Sequence, residues 1–95
     1  GSGHIGVYVH GGKIGAMVQL LCETDFVAKN PDFQKLAEDL ALQLSAMPAA
    51  GPEEFLAQPF IKDPTQTVAD LIKSGTQKFG ERMELATFSR MAVGE

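Results

Sequence analysis

The chain has 95 residues, 44% of them hydrophobic and 21% charged, with 8 basic and 12 acidic side chains and a formal net charge of −4. A chain of that length suits one domain that buries a core without metals or disulfides, and no apolar run approaches the roughly 20 residues that cross a bilayer. The acidic balance opposes the phosphate-neutralising contacts that dominate nucleic-acid affinity, which argues against direct binding to RNA or DNA.

Gly1-Ser2-Gly3 reads as a cloning scar, which leaves residues 4–95 as a single domain. Residues 4–23 then alternate with period two: Ile5, Val7 and Val9 share one parity, and Ile14, Ala16, Val18, Leu20 and Cys22 share another after a break. The break is His10-Gly11-Gly12-Lys13, and a Gly-Gly pair tolerates the positive φ values that a two-residue hairpin turn requires, so a tight antiparallel hairpin is predicted.

A helix is predicted from Asn30-Pro31, an N-cap followed by a proline suited to the first helical position. Its apolar stripe is Phe33, Leu36, Ala37, Leu40, Ala41 and Leu44, while Gln34, Lys35, Glu38 and Asp39 face solvent, and Met47-Pro48 ends it. Residues 48–65 show no sustained periodicity and read as a loop or connecting arm. A second helix starts near Thr67 with Asp70 placed for a capping box, carries Val68, Leu71, Ile72, Gly75 and Phe79, and stops at Gly80. Gly75 marks close packing. Residues 82–93 return to strand character, with Met83, Leu85, Met91 and Val93 on one parity and Phe88 on the other. The expected fold is α+β: a two-layer sandwich in which a small antiparallel sheet, the hairpin plus the C-terminal strand, packs against two helices.

Between hairpin and first helix lies Cys22-Glu23-Thr24-Asp25-Phe26-Val27-Ala28-Lys29-Asn30, where the strand pattern has stopped and the helix has not begun. Two readings of Phe26 stand. Thr24 or Asp25 caps a short turn and the ring folds back as a staple onto the core, or the ring is presented beside a carboxylate as an anchor for a partner's pocket.

At this segment the sequence resembles the elongation factor Ts family, whose signature after a strand is the run CETDFVA, present here unbroken from Cys22 to Ala28. Val7 to Gly15 before it, Gln58 to Asp63, and Gly80-Glu81 to Val93-Gly94 are also similar to family segments, in the expected order. The resemblance implies a nucleotide-exchange factor rather than an enzyme. Its partner would be elongation factor Tu, in GDP-bound and nucleotide-free forms, and Asp25 and Phe26 would reach the magnesium and phosphate environment of its nucleotide site. Thr24 and Val27 would belong to the same contact segment, more as holders of the corner than as contacts, and Glu23 suits either role. The alternative is a binding or dimerisation module of a larger protein without exchange activity of its own. Two departures from the family pattern are the missing amino-terminal helical domain and an insertion between the core helices shortened to residues 48–66. Single-repeat members pair their cores, so the resemblance also allows a homodimer. The implied location is the bacterial cytoplasm or an organelle interior, plastid or mitochondrion, and a lone cysteine fits such a reducing compartment.

No cofactor or metal is expected. His4 and His10 share parity with Tyr8 but lack supporting ligands. Cys22 follows the apolar parity of its strand and reads as a small buried hydrophobe. The glycines from Gly6 to Gly15 do not meet the phosphate-loop pattern, because Gly12 stands where a lysine should follow Gly11. Phe55 and Phe60 in the arm read as cover for the core edge ahead of the alternative, contacts to a partner.

Overall fold

A computed structural model describes residues 1–95. The hairpin forms as β1 (Ser2–His10) and β2 (Ile14–Cys22), paired antiparallel with His10 opposite Ile14 and Ser2 opposite Cys22. Gly11 and Gly12 take φ of 57° and 68°, and the Lys13 amide donates to the His10 carbonyl at 3.0 Å. The positive φ values are those the sequence calls for, but Lys13 joins the loop as a third residue, and its carbonyl accepts from the Val93 amide at 2.8 Å.

One helical turn, α1 (Asp25–Ala28), precedes the long helix α2 (Pro31–Ala46), whose N-cap Asn30 accepts from the Asp32 amide. Phe33, Ala37, Leu40, Ala41 and Leu44 are fully buried along the predicted stripe. They lie on the inner face of the sheet against Ala16, Val18 and Leu20. The helix crosses β1 so closely that a Cβ on Gly6 would stand 2.1 Å from the Ala37 carbonyl oxygen. Glycine at position 6 is therefore a packing requirement.

The arm after α2 is ordered where the sequence reads as loop. It contains α3 (Pro52–Ala57) and a small hairpin of β3 (Pro59–Phe60) and β4 (Asp63–Thr67). Neither element is long enough to show a period, and tertiary anchors hold both. Phe55 is fully buried, with its ring 5.1 Å from that of Phe88 in an edge-on arrangement, and Phe60 is buried too. Gln43, a polar residue at the edge of the α2 stripe one i+7 step from Leu36, is also fully buried. Its amide nitrogen donates to Gln58 Oε1 and the Pro59 carbonyl, and its oxygen accepts from the Ile61 amide, while Gln58 donates to the Met47 and Pro48 carbonyls, so two buried side chains satisfy much of the arm's open backbone.

The last helix, α4 (Val68–Phe79), has the predicted capping box between Thr67 and Asp70 and ends at Gly80 with φ of 69°. Gly75 faces Leu36 and Met83, each 3.0 Å from the place of a Cβ, as the close-packing reading requires. The chain returns as β5 (Glu84–Ala92), antiparallel to β2, giving the sheet order β1-β2-β5. A bulge corrects the predicted parity. Leu85 pairs with Leu20 and Thr87 with Gln19, so Ala86 is the extra residue, and past it Phe88 faces the core while Met91 faces out. The architecture is α+β, a three-stranded sheet with its helices on one face, four helices rather than two.

Two substitutions probe this packing. Leu40→Ala should lower unfolding free energy in urea by about 2–5 kcal/mol through lost burial and a residual cavity. Gly6→Ala should cost at least about 2 kcal/mol, because the added carbon meets backbone that cannot rotate away. A loss under about 0.5 kcal/mol for either would show that α2 does not depend on this crossing.

Candidate functional site

The inner parity of β2 runs out at Cys22, which is buried and whose thiol donates to the Thr24 carbonyl at 3.3 Å. Burial first, then the nearby Glu81, pushes its pKa up, so the sulfur is held as an inert thiol. The backbone next bends at Glu23 and enters the single turn of α1. Thr24 is its N-cap, with an extended backbone and a hydroxyl that accepts from the Val27 amide at 3.3 Å. Ala28 and Lys29 amides bond back to the Thr24 and Asp25 carbonyls, and Asn30 bonds to Val27 and then caps α2.

That turn sorts its side chains. Val27 and Ala28 are buried, 5% and 8% exposed, and seat the corner on the core. Phe26 is 84% exposed. The staple reading therefore fails on geometry: the ring does not return to the core, and a surface that burial would favour by about 1.5–3 kcal/mol is left in water. Asp25 lies beside it, exposed, and its Oδ1 accepts from the Ser2 hydroxyl at 2.7 Å. Of the four residues singled out in sequence, Asp25 and Phe26 point outward, Val27 points inward, and Thr24 ties the turn together.

The sequence reading missed Glu81. Its carboxylate accepts from the Glu23 amide and the Thr24 amide at 3.1 Å each and from the Thr24 hydroxyl at 2.6 Å. Glu23 answers by accepting from the Arg82 amide. These partners lie 57 to 59 positions apart in the chain, so no local pattern announces them. The Thr24 hydroxyl, ahead of the backbone donors, holds the Glu81 carboxyl below the usual glutamate range. Elsewhere, Tyr8 Oη and His10 Nδ1 are hydrogen-bonded at 2.9 Å on the open hairpin.

The fold and the corner define a small α+β sandwich that carries an exposed aromatic and a carboxylate on a braced turn. A family model described as Elongation factor TS matches residues 23–95, and the chain belongs to the elongation factor Ts family. Elongation factor Ts of Herpetosiphon aurantiacus is 35% identical over 138 aligned positions, covering 97% of this chain and 70% of that protein. The Solibacter usitatus and Myxococcus xanthus proteins of the same name are each 31% identical, covering 98% of this chain and 66% and 64% of their own lengths. The chain thus spans about two thirds of these relatives. The alignments are longer than the 95 residues here, so the relatives carry additional residues inside the matched span.

Two outcomes follow from this geometry. Phe26→Ala should change folding stability by under about 1 kcal/mol in chemical denaturation, since the ring has little burial to lose. A loss matching that of Leu40→Ala would return the ring to the core. For Glu81, the folded value lies below the ordinary 4.5, so its contribution is in place above that pH and is lost as pH falls through the lowered value. Acid unfolding of Glu81→Gln should therefore show a shallower pH dependence below 4.5 than the parent, and superimposable curves would refute the assignment.

Proposed function

We propose that this domain is a guanine-nucleotide exchange factor for translation elongation, binding elongation factor Tu and promoting release of its GDP. The observation that carries this reading is the exposed Phe26 ring on a short, capped turn with its neighbours Val27 and Ala28 locked in the core. Nanomolar nucleotide binding represents about 12 kcal/mol, so a releasing factor must favour the nucleotide-free partner strongly over the loaded one. A wedge supplies that difference, because it fits only where the partner's helices have parted. Asp25 beside it brings a negative charge toward the magnesium and phosphate environment, which weakens the hold on nucleotide. By linkage GDP weakens the domain's binding by the same factor, and the exchange is reversible. The relatives come from bacteria, which fits work in a bacterial cytoplasm or a plastid.

A second reading, a pairing module, has its own observation. The outer face of the sheet carries exposed Ile5, Val7, Val9, Met17 and Met91. Apolar sheet faces stack on one another in sandwiches, and a second copy offers the complementary face. Three nine-residue strands about 4.8 Å apart, rising about 3.3 Å per residue, make a plane of roughly 400 Å². That is half of a standard patch of about 800 Å² per partner, so the homodimer would be weak.

Stopped-flow release of fluorescent GDP from elongation factor Tu separates the readings. The domain at micromolar concentration should speed release, and an unchanged rate at saturating domain overturns the exchange reading. Phe26→Ala should weaken binding to the nucleotide-free partner by about 2 kcal/mol or more, a hot-spot loss. Asp25→Ala should slow release with stability nearly kept. Sedimentation of Val7→Glu against the parent tests the pair: loss of a concentration-dependent dimer supports it, and a parent that stays monomeric at millimolar concentration refutes it.

A further inference from the structure

The corner that carries Phe26 has an energetic gap in its backbone. Pairing of β1 with β2 ends at Ser2 and Cys22, and pairing of β5 with β2 ends at Glu84 and Leu21. The amides of Glu23 and Thr24 thus fall beyond the sheet and before the first bond of α1, where strand and helix both leave donors unmet. Glu81 fills this gap from the far end of the chain. Gly80, in the left-handed conformation, turns the chain off the end of α4 and sets Glu81 against the bend. One carboxylate oxygen takes both amides, and the other takes the Thr24 hydroxyl that caps α1. Glu23 completes the bracket by accepting from Arg82, so each loop supplies one carboxylate and at least one amide to the other. All of these bonds have an ionised acceptor, the stronger class. None touches the Phe26 ring.

We infer that Glu81 is the positioning residue of the exchange corner: with Glu23 it locks the bend between β2 and α1 onto the turn between α4 and β5, and so holds the Phe26 ring at a fixed height and direction for the partner GTPase. This rests on the exchange reading given above. A ring held still before binding avoids the ordering cost that a floppy corner would meet on association, and a displacement of about 1 Å at a reacting contact is enough to slow a process many-fold. The bracket also explains how an apolar ring persists in water without collapsing inward: the backbone that would have to rotate is tied at residues 23 and 24 as well as at Val27.

The test uses the 95-residue chain with Glu81→Ala, Glu81→Gln, Phe26→Ala and the Glu81→Ala/Phe26→Ala pair, read by amide hydrogen exchange and by GDP release from elongation factor Tu. Glu81→Ala should lose protection at the Glu23 and Thr24 amides while Leu20, Leu40 and Leu44 stay protected. It should slow the stimulated GDP release roughly tenfold at subsaturating domain. Glu81→Gln, which keeps an acceptor for both amides, should recover most of that rate. In the Phe26→Ala background, Glu81→Ala should add little further loss, because the two act through one ring. A merely structural role predicts the contrary: loss of protection across the core and additive effects on release. An impaired Phe26→Ala beside a fully active Glu81→Ala overturns this inference alone. A fully active Phe26→Ala overturns the exchange reading, and this inference with it. Should Glu81→Ala fail to fold, Glu23→Ala removes only the Arg82 arm of the bracket, and release by the folded variant at the parent rate counts against the inference.

Discussion

The seating of α2 on the sheet governs the rest of the molecule. Its stripe of Phe33, Ala37, Leu40, Ala41 and Leu44 meets Ala16, Val18 and Leu20, and at Gly6 the helix backbone comes so near the strand that no side chain fits between them. Such a contact leaves the two elements little freedom to slide or tilt, since any side chain at the crossing would lever them apart. With the ends of β2 and α2 placed in this way, the eight residues between Cys22 and Pro31 must span a set gap. One turn of helix with buried Val27 and Ala28 spans it, and the residue before Val27 then has nowhere to go but outward.

Phe26 is therefore exposed as a consequence of how its neighbours are buried. Water disfavours the ring, and the fold tolerates that cost because Thr24, Glu23 and Glu81 hold the backbone that would otherwise relax. The same hydrogen bonds join the corner to the end of α4 and the start of β5. The outward ring and the closure of the fold thus share one set of contacts, in which the Glu23 and Glu81 carboxylates are the acceptors between the two loops.

The two sides of the sheet are also unlike. Inward, Arg90 donates to the Ser45 carbonyl near the end of α2, a cation where the helix dipole is negative, and Phe88 meets Phe55 from the arm. Outward, β1 and β2 present Ile5, Val7, Val9 and Met17 to water. The arm belongs to the inner side. Gln43 ties down its backbone and Phe55 and Phe60 close the core edge, so a stretch with no pattern of its own is as ordered as the helices around it.

Local interactions explain which parts were legible in sequence. The glycine turn at residues 11 and 12, the Asn30 and Thr67 caps, the stop at Gly80 and the stripe of α2 each arise from contacts within a few positions, where side-chain type alone sets the outcome. The corner residues Thr24 to Val27 stand out because strand and helix signals both lapse there, and the family resemblance rests on the run from Cys22 to Ala28 together with the ordered segments around it. The direction of Phe26, by contrast, was open between two readings, and only the packing of Val27 and Ala28 decided it. Period two says that Ile5, Val7 and Val9 share a face but not which face, and the close approach of α2 at Gly6 chose the other one for the core. The bulge at Ala86, the helix and hairpin within residues 52–67, and the bracket from Glu81 to Thr24 depend on residues brought together from distant positions. Periodicity carries no information about such pairs, because it records how a segment meets its surroundings and not which surroundings the fold delivers.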